Sequence, residues 1–115
     1  MSAAAQQAMM FAALFRSTGA TVAYSRGGST YGFAPAVRGR SSFEGNDGHG
    51  ARLQIETEDF IFLESSLQAI NLPLPPSEGD LITLANSRAY ILTNPPYHEE
   101  TMAVMLRCHG KRWDQ

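Results

Sequence analysis

Four acidic residues in a short segment are the first candidates for chemistry: Glu56, Glu58, Asp59 and Glu64. Two carboxylates held close together can act as a general acid and a general base. Such residues can also contact a basic surface of a partner. Acidic residues are, however, mostly found in solvated positions. We therefore predict that these four lie at solvated strand ends and in loops.

Near the C-terminus, Cys108 could be a nucleophile, and His98, Cys108 and His109 could be metal ligands. A nucleophilic thiol needs a nearby base, but adjacent residues on a strand point to opposite sides. One cysteine and three scattered histidines also lack the spacing of a metal site. We predict that Cys108 packs as a small apolar residue, and that the chain has no catalytic, cofactor-binding or metal-binding residues.

The glycines do not form a nucleotide-binding loop. The only Gly-Lys pair is Gly110-Lys111, and position 105 is Met where a phosphate-binding loop needs glycine. Seven of the ten glycines lie between residues 26 and 50, without the spacing of a dinucleotide fingerprint. We predict that they provide loop flexibility.

Charge is unevenly distributed along the chain, whose formal net charge is −2. Residues 1–55 carry +3, residues 56–101 carry −7 and residues 102–115 carry +2. This distribution excludes a uniformly basic nucleic-acid binder. Three arginines lie on or beside the glycine-rich stretch, namely Arg26, Arg38 and Arg40. They are solubilising charges, or they meet DNA phosphates or an acidic protein surface.

Length and composition predict one domain over residues 1–115 with a thin core. Leu, Ile, Val and Phe make up 24 of the 115 residues, close to the roughly 20% below which disorder is expected. Such a chain can depend on a partner or on copies of itself. The single cysteine fits a reducing compartment. The apolar run 8–15 is too short to span a bilayer, which needs about 20 residues, so no membrane association is expected.

The first element that the sequence predicts is a helix over residues 2–16, within an N-terminal arm over residues 1–17. Ala4, Ala8, Phe11 and Phe15 fall on one stripe at helical spacing. A helix this short must pack on something. It covers its own domain's core or docks on a neighbouring subunit, and Phe11 and Phe15 are the interface candidates.

The remaining elements are predicted strands, which form a small antiparallel barrel or sandwich over residues 20–108. Residues 21–24 and 30–38 form a hairpin around Gly27-Gly28-Ser29, followed by a long Gly-rich mobile loop over about 39–51. Residues 52–56 and 60–63 are strands, and a proline-rich link spans 72–78. Strands at 81–84, 90–92 and 102–106 follow, with Asn94-Pro95-Pro96 ending the second of them. Residues 109–115 form a polar, fraying tail.

This order of elements resembles that of the head–tail joining proteins of tailed bacteriophages, of the head-completion or stopper type found in lambda-like siphophages and prophages. The most informative segment is Gly79-Asp80 with the β run 81–84, followed by a polar turn and the strand 88–92 with Tyr90. The resemblance covers nearly the whole chain in layout.

The resemblance implies a virion protein with no enzymatic activity and no cofactor, assembled in the cytoplasm of the bacterial host. Copies would form a ring that connects the portal or adaptor of the DNA-filled head to the tail terminator or tail tube. Viral DNA would pass through the ring without sequence recognition. In such a ring, the basic residues Arg26, Arg38 and Arg40 of one copy would meet acidic surface on its neighbour or on the next ring.

Three other functions remain open from the sequence. A tail terminator or tail-completion protein would form rings at the tail end instead. A small cytosolic enzyme would use Cys108 or His109. A small nucleic-acid-binding barrel would have to overcome the charge of −7 in residues 56–101.

Overall fold

The computed structural model describes residues 20–46, 49–50, 52–100 and 105–113. The predicted N-terminal helix, with Phe11 and Phe15, lies outside these residues. The elements are β1 (Ala20–Arg26), β2 (Ser29–Asn46), β3 (Arg52–Leu63), the helix α1 (Glu64–Ala69), β4 (Leu81–Thr83), β5 (Ala89–Glu100) and β6 (Met105–Arg112).

These strands form one antiparallel sheet in the order β1-β2-β3-β6-β5-β4. β1 also pairs with β4, through Ala23 opposite Thr83 and Tyr24 opposite Ile82, so the sheet closes on itself. The prediction of a mainly β, antiparallel fold is confirmed. A closed sheet leaves few unpaired strand edges that other residues would have to cover. This arrangement suits a chain that has few apolar residues.

The core fills the inside of the closed sheet. Val22 and Tyr24 of β1 and Phe60 and Phe62 of β3 are fully buried, at alternate positions along their strands. They pack with buried residues of the other strands and of α1, namely Ala34, Ala36, Leu67, Ile82, Tyr90, Leu92, Leu106 and Cys108. Cys108 therefore packs in the core, as predicted.

The predicted first hairpin is present, and its turn explains two glycines. Arg26 pairs with Ser29 across Gly27 and Gly28, whose φ angles are +59° and +84°. Two successive residues with positive φ define the type I′ turn that suits the twist of a hairpin, and glycine adopts that conformation at little cost.

The prediction of a Gly-rich loop over about 39–51 is wrong for residues 39–46, which are strand. Gly39 pairs with Asp59, and the pairing continues to Asn46 opposite Arg52. Within the described residues, 41–46 and 52–57 have no third strand beside them, so they form a two-stranded ribbon about 20 Å long. Cross-strand hydrogen bonds hold this segment extended although glycine and serine have low strand propensity. Mobility at its tip stays a prediction.

Two predicted strand ends are also wrong. Residues 109–112 belong to β6 rather than to a fraying tail, and His109 is fully buried. Asp59 lies directly opposite His109, and partners on both sides keep this part of β6 in the sheet. Asn94-Pro95-Pro96 does not end β5, which continues to Glu100 after a register shift between Leu92 and Tyr97. Prolines are tolerated at such an irregularity because it leaves backbone positions unpaired.

Candidate functional site

The antiparallel order places Arg26 at one end of the closed sheet and Arg38 and Arg40 toward the other. The C-terminal ends of β1, β3 and β5 meet the N-terminal ends of β2, β4 and β6. Arg26 is the last residue of β1, whereas Arg38 and Arg40 lie beyond the middle of β2. The structure therefore brings two of the three predicted arginines together.

Arg26 is engaged within the chain by the buried carboxylate of Asp80. Its Nε donates to Oδ1 and its Nη2 to Oδ2, both at 2.8 Å, which is the bidentate geometry of a strong ion pair. Its two terminal nitrogens also donate to the carbonyl oxygens of Pro73 and Pro75, at 2.9 and 3.1 Å. The hydrogen bond with Asp80 raises the pKa of Arg26 further above its ordinary value. Arg26 thus fastens the proline-rich link to the sheet.

Asp80 reaches this position because Gly79 precedes it. Gly79 has a φ of +90°, a conformation that other residues adopt only with strain. The carboxylate also accepts hydrogen bonds from the hydroxyl of Tyr24 and from the backbone N–H of Ser77. Burial, and next this bond to Asp80, raise the pKa of Tyr24. Four donor groups compensate for burying this charge.

Arg38 and Arg40 share one acidic partner, Glu58. The distances to its carboxylate oxygens are 3.3 Å from Nη2 of Arg38 and 3.5 Å from Nε of Arg40. The guanidinium of Arg38 also lies 4.6 Å from the ring centroid of Phe60 and 5.2 Å from that of Tyr90, within cation–π range. The side chain of Arg40 is 81% exposed, so it is available to a partner.

A buried polar cluster around Asp59 was missed by the sequence analysis, which expected this residue to be solvated. Asp59 is fully buried, yet it lies on the outer side of the sheet, since its neighbour Phe60 is in the core. Its carboxylate accepts hydrogen bonds from Ser41, Thr57, Arg107 and His109. Burial alone would raise the pKa of Asp59, but these four bonds outweigh it and lower the pKa.

His109 extends this cluster to His98 on β5. Its Nδ1 lies 3.0 Å from Asp59 Oδ1, and its Nε2 lies 2.7 Å from Nδ1 of His98. The carboxylate of Asp59 accepts, so His109 donates through Nδ1, and when the His109 ring is neutral its Nε2 accepts from Nδ1–H of His98. Ser41 bonds to the carboxylate and not to an imidazole, so the order of a serine triad is not formed. The arrangement ties β2, β3, β5 and β6 together.

Neither reactive chemistry nor metal binding is supported at the remaining candidates. Burial, and next the charges of Asp80 and Asp59, raise the pKa of Cys108, which keeps the thiol protonated. Within the residues that the structure describes, no group of three or more potential ligands is arranged for a metal ion. The described part of the chain also contains no helix that is long and apolar enough to span a membrane.

Exposed charges of both signs lie on the closed sheet. Glu78 and Lys111 line the same cavity, while Arg26 and Asp80 neutralise each other. Farther along β2, the exposed Arg40 lies beside Glu58. Such exposed charges can contribute to contacts with other proteins.

The comparison with known proteins agrees with a role in assembly. A family model described as phage head-tail joining protein matches residues 1–110. The chain belongs to this family. No curated protein matches it.

This head–tail joining protein is therefore a structural component of the virion at the interface between the phage head and the tail. The family predicted from the order of elements is confirmed. Membership also means that the protein interacts with components of the head and of the tail. The exposed side chain of Arg40 is one group that the described residues offer for such contacts.

Proposed function

We propose that copies of this head–tail joining protein form a ring that connects the portal or adaptor of the DNA-filled head to the tail terminator or tail tube. Each copy would contribute its closed sheet as a small β-barrel, and viral DNA would pass through the ring without sequence recognition. Assembly would take place in the cytoplasm of the bacterial host. The family match over residues 1–110 is the observation that carries this proposal.

The surface of the closed sheet supports a role in assembly. Arg40 projects from β2 with most of its side chain exposed, and Glu58 satisfies it only at 3.5 Å. Arg38, 38% exposed, is held over Phe60 and Tyr90, so its position is fixed before a partner arrives. We assign interface roles to these two arginines, whereas Arg26 stabilises the fold through Asp80.

Phe11 and Phe15 keep their proposed role as interface residues. They lie outside the described residues, and the proposal rests on their apolar stripe at helical spacing. Packing against a neighbouring copy would bury aromatic surface that a thin core cannot cover alone.

Joining of heads to tails in vitro tests the proposal. Host cells carrying the phage without this gene should accumulate DNA-filled heads and free tails, and the purified protein should restore complete particles. Arg40→Glu should reduce joining, while Arg40→Lys, which keeps the charge, should restore it. Binding to isolated tails but not to filled heads would instead indicate a tail terminator, and unchanged particle yield without the gene would refute the proposal.

A further inference from the structure

Two histidines on neighbouring strands form a direct side-chain contact on the outer side of the closed sheet. Nδ1 of His98 lies 2.7 Å from Nε2 of His109, and the two ring centroids are 4.7 Å apart. His98 is exposed, whereas His109 is fully buried and also has the ring of Phe43 against it, at a centroid distance of 4.9 Å. An exposed imidazole is therefore bound directly to a buried one.

Two charged side chains belong to the same cluster. Asp59 of β3 binds Nδ1 of His109 at 3.0 Å, and its other carboxylate oxygen binds Nη1 of Arg107 at 2.9 Å. Arg107 is also the residue opposite His98 in the register of β5 with β6. β2 contributes uncharged groups, the hydroxyl of Ser41 and the phenyl ring beside His109. A proton added to the histidines thus enters a cluster that already holds a negative and a positive charge.

The contact between the histidines tolerates one added proton but not two. With both rings neutral, Nδ1–H of His98 donates to Nε2 of His109. One added proton leaves Nε2 of His109 as an acceptor when it binds to the far nitrogen of His98, so the hydrogen bond is kept. A second proton places N–H groups on both facing nitrogens and a positive charge on both rings, beside the positive charge of Arg107. The contact then breaks, and the exposed ring of His98 is the one that can move into water.

The segment that carries His98 is attached to the sheet along one edge. Within the described residues, residues 97–100 pair with β6 alone, since β4 pairs only with residues 89–91 of β5. A register shift after Leu92 separates this segment from the rest of β5. Its attachment therefore depends on four backbone pairs, on the packing of Tyr97 against the core and on the contact between His98 and His109.

We propose that His98 and His109 form a pH-sensitive contact, which holds residues 97–100 against β6 at neutral pH and releases them when both rings are protonated. Histidine is the side chain whose charge ordinarily changes between pH 5 and 8, so release falls toward the acidic end of that range. Asp59 keeps its negative charge there, because its pKa is lowered from 3.8. Acid thereby changes the outer surface beside the ribbon while the closed sheet stays folded. This device goes beyond the proposed function, which does not require it.

NMR of the wild-type protein between pH 8 and pH 4.5 provides the main test. Imidazole nitrogen chemical shifts report the protonation of each ring, and amide hydrogen exchange reports the pairing of residues 97–100. The protection factors of these amides should fall at least ~10-fold once both rings are protonated, the factor for losing a hydrogen bond that involves a charged group. The protection of β1, on the far side of the closed sheet, should not change.

Two variants separate this contact from a general effect of acid. His98→Asn offers an amide N–H to Nε2 of His109 and does not titrate, so the protection of residues 97–100 should no longer depend on pH in this range. His49→Asn removes an exposed histidine between β2 and β3, outside the pair, and should behave like the wild type.

Three outcomes would overturn the inference: protection of residues 97–100 that stays constant to pH 4.5, a fall that β1 shares, or a fall that persists in His98→Asn. If that variant does not fold, the wild-type titration alone decides between release and no release. None of these outcomes bears on the joining of heads to tails at neutral pH, so the proposed function is tested separately.

Discussion

Replacing Arg26 by Met should destabilise the fold by about 3–5 kcal/mol, the range for breaking a buried ion pair from one side. The side chain of Asp80 is only 2% exposed, so water cannot replace the two 2.8 Å bonds that Arg26 donates. The variant would also release the carbonyl oxygens of Pro73 and Pro75 from their partner. The tyrosine hydroxyl and the Ser77 N–H that remain carry no full positive charge.

Urea unfolding followed by circular dichroism measures this loss, with Arg40→Met as the matched control. Arg40 also has an acidic partner, but its side chain is 81% exposed and the contact is 3.5 Å. We expect the control to cost less than about 1 kcal/mol, because exposed ion pairs contribute little. The melting temperature of Arg26→Met should fall on the order of 10 °C or more below that of the control.

Removing the negative partner should cost less than removing the positive one. Asp80→Asn should destabilise by about 1.5–3 kcal/mol, because the guanidinium of Arg26 is 25% exposed and can be hydrated. A loss below about 1 kcal/mol for Arg26→Met, or equal losses for Arg26→Met and Arg40→Met, would refute the reasoning, since the carboxylate of Asp80 would then be reachable by water.

Three more predictions concern other positions. The pKa of Asp59 is lowered from 3.8, so the stability that its ionised carboxylate contributes is present above about pH 4 and is lost as the pH falls through its lower folded value. The midpoint of urea unfolding should therefore fall more steeply from pH 4 to pH 2 in the wild type than in Asp59→Asn. The Cys108 thiol should resist iodoacetamide at pH 8 in the native protein and react fully in urea, because burial raises its pKa. Equal rates of alkylation in the native and the urea-unfolded protein would contradict its place in the core. Gly79→Ala should lower the free energy of unfolding in urea by about 1–2 kcal/mol. The loss would come from the φ of +90° alone, because a Cβ at this position would meet nothing within 4 Å. An unchanged midpoint would contradict that conformation.

The sequence predicted elements whose signals are local and missed those that depend on strand pairing. Gly27-Gly28 between two β-rich runs identified the first hairpin, and Gly79-Asp80 identified the start of β4. The ribbon was mistaken for a loop because its glycines and serines are typical of loops, while the partner strand that orders them begins only at Arg52.

The buried cluster could not be predicted for the same reason. Asp59 and His109 are 50 positions apart, and only the register of β3 against β6 puts them opposite each other. Asp59 also belongs to the segment 56–101, whose acidity suggested solvent exposure. The sequence did contain a partial signal. Thr57 and Asp59 lie at alternate positions of the strand, out of phase with the core residue Phe60, so they share the side of the strand opposite to the core.

The charge split along the sequence acquires a different meaning once the strands are paired. Glu58, from the acidic middle of the chain, pairs with both Arg38 and Arg40 within the same copy, which leaves one positive charge in excess there, and Asp80 neutralises Arg26. The sequence segments therefore do not map onto two surfaces. Glu78 of the acidic segment and Lys111 of the basic C-terminal segment, for example, line the same cavity. Contacts with head and tail components should accordingly depend on exposed charges such as Arg40 more than on Arg26, which already forms an ion pair with Asp80 within the fold.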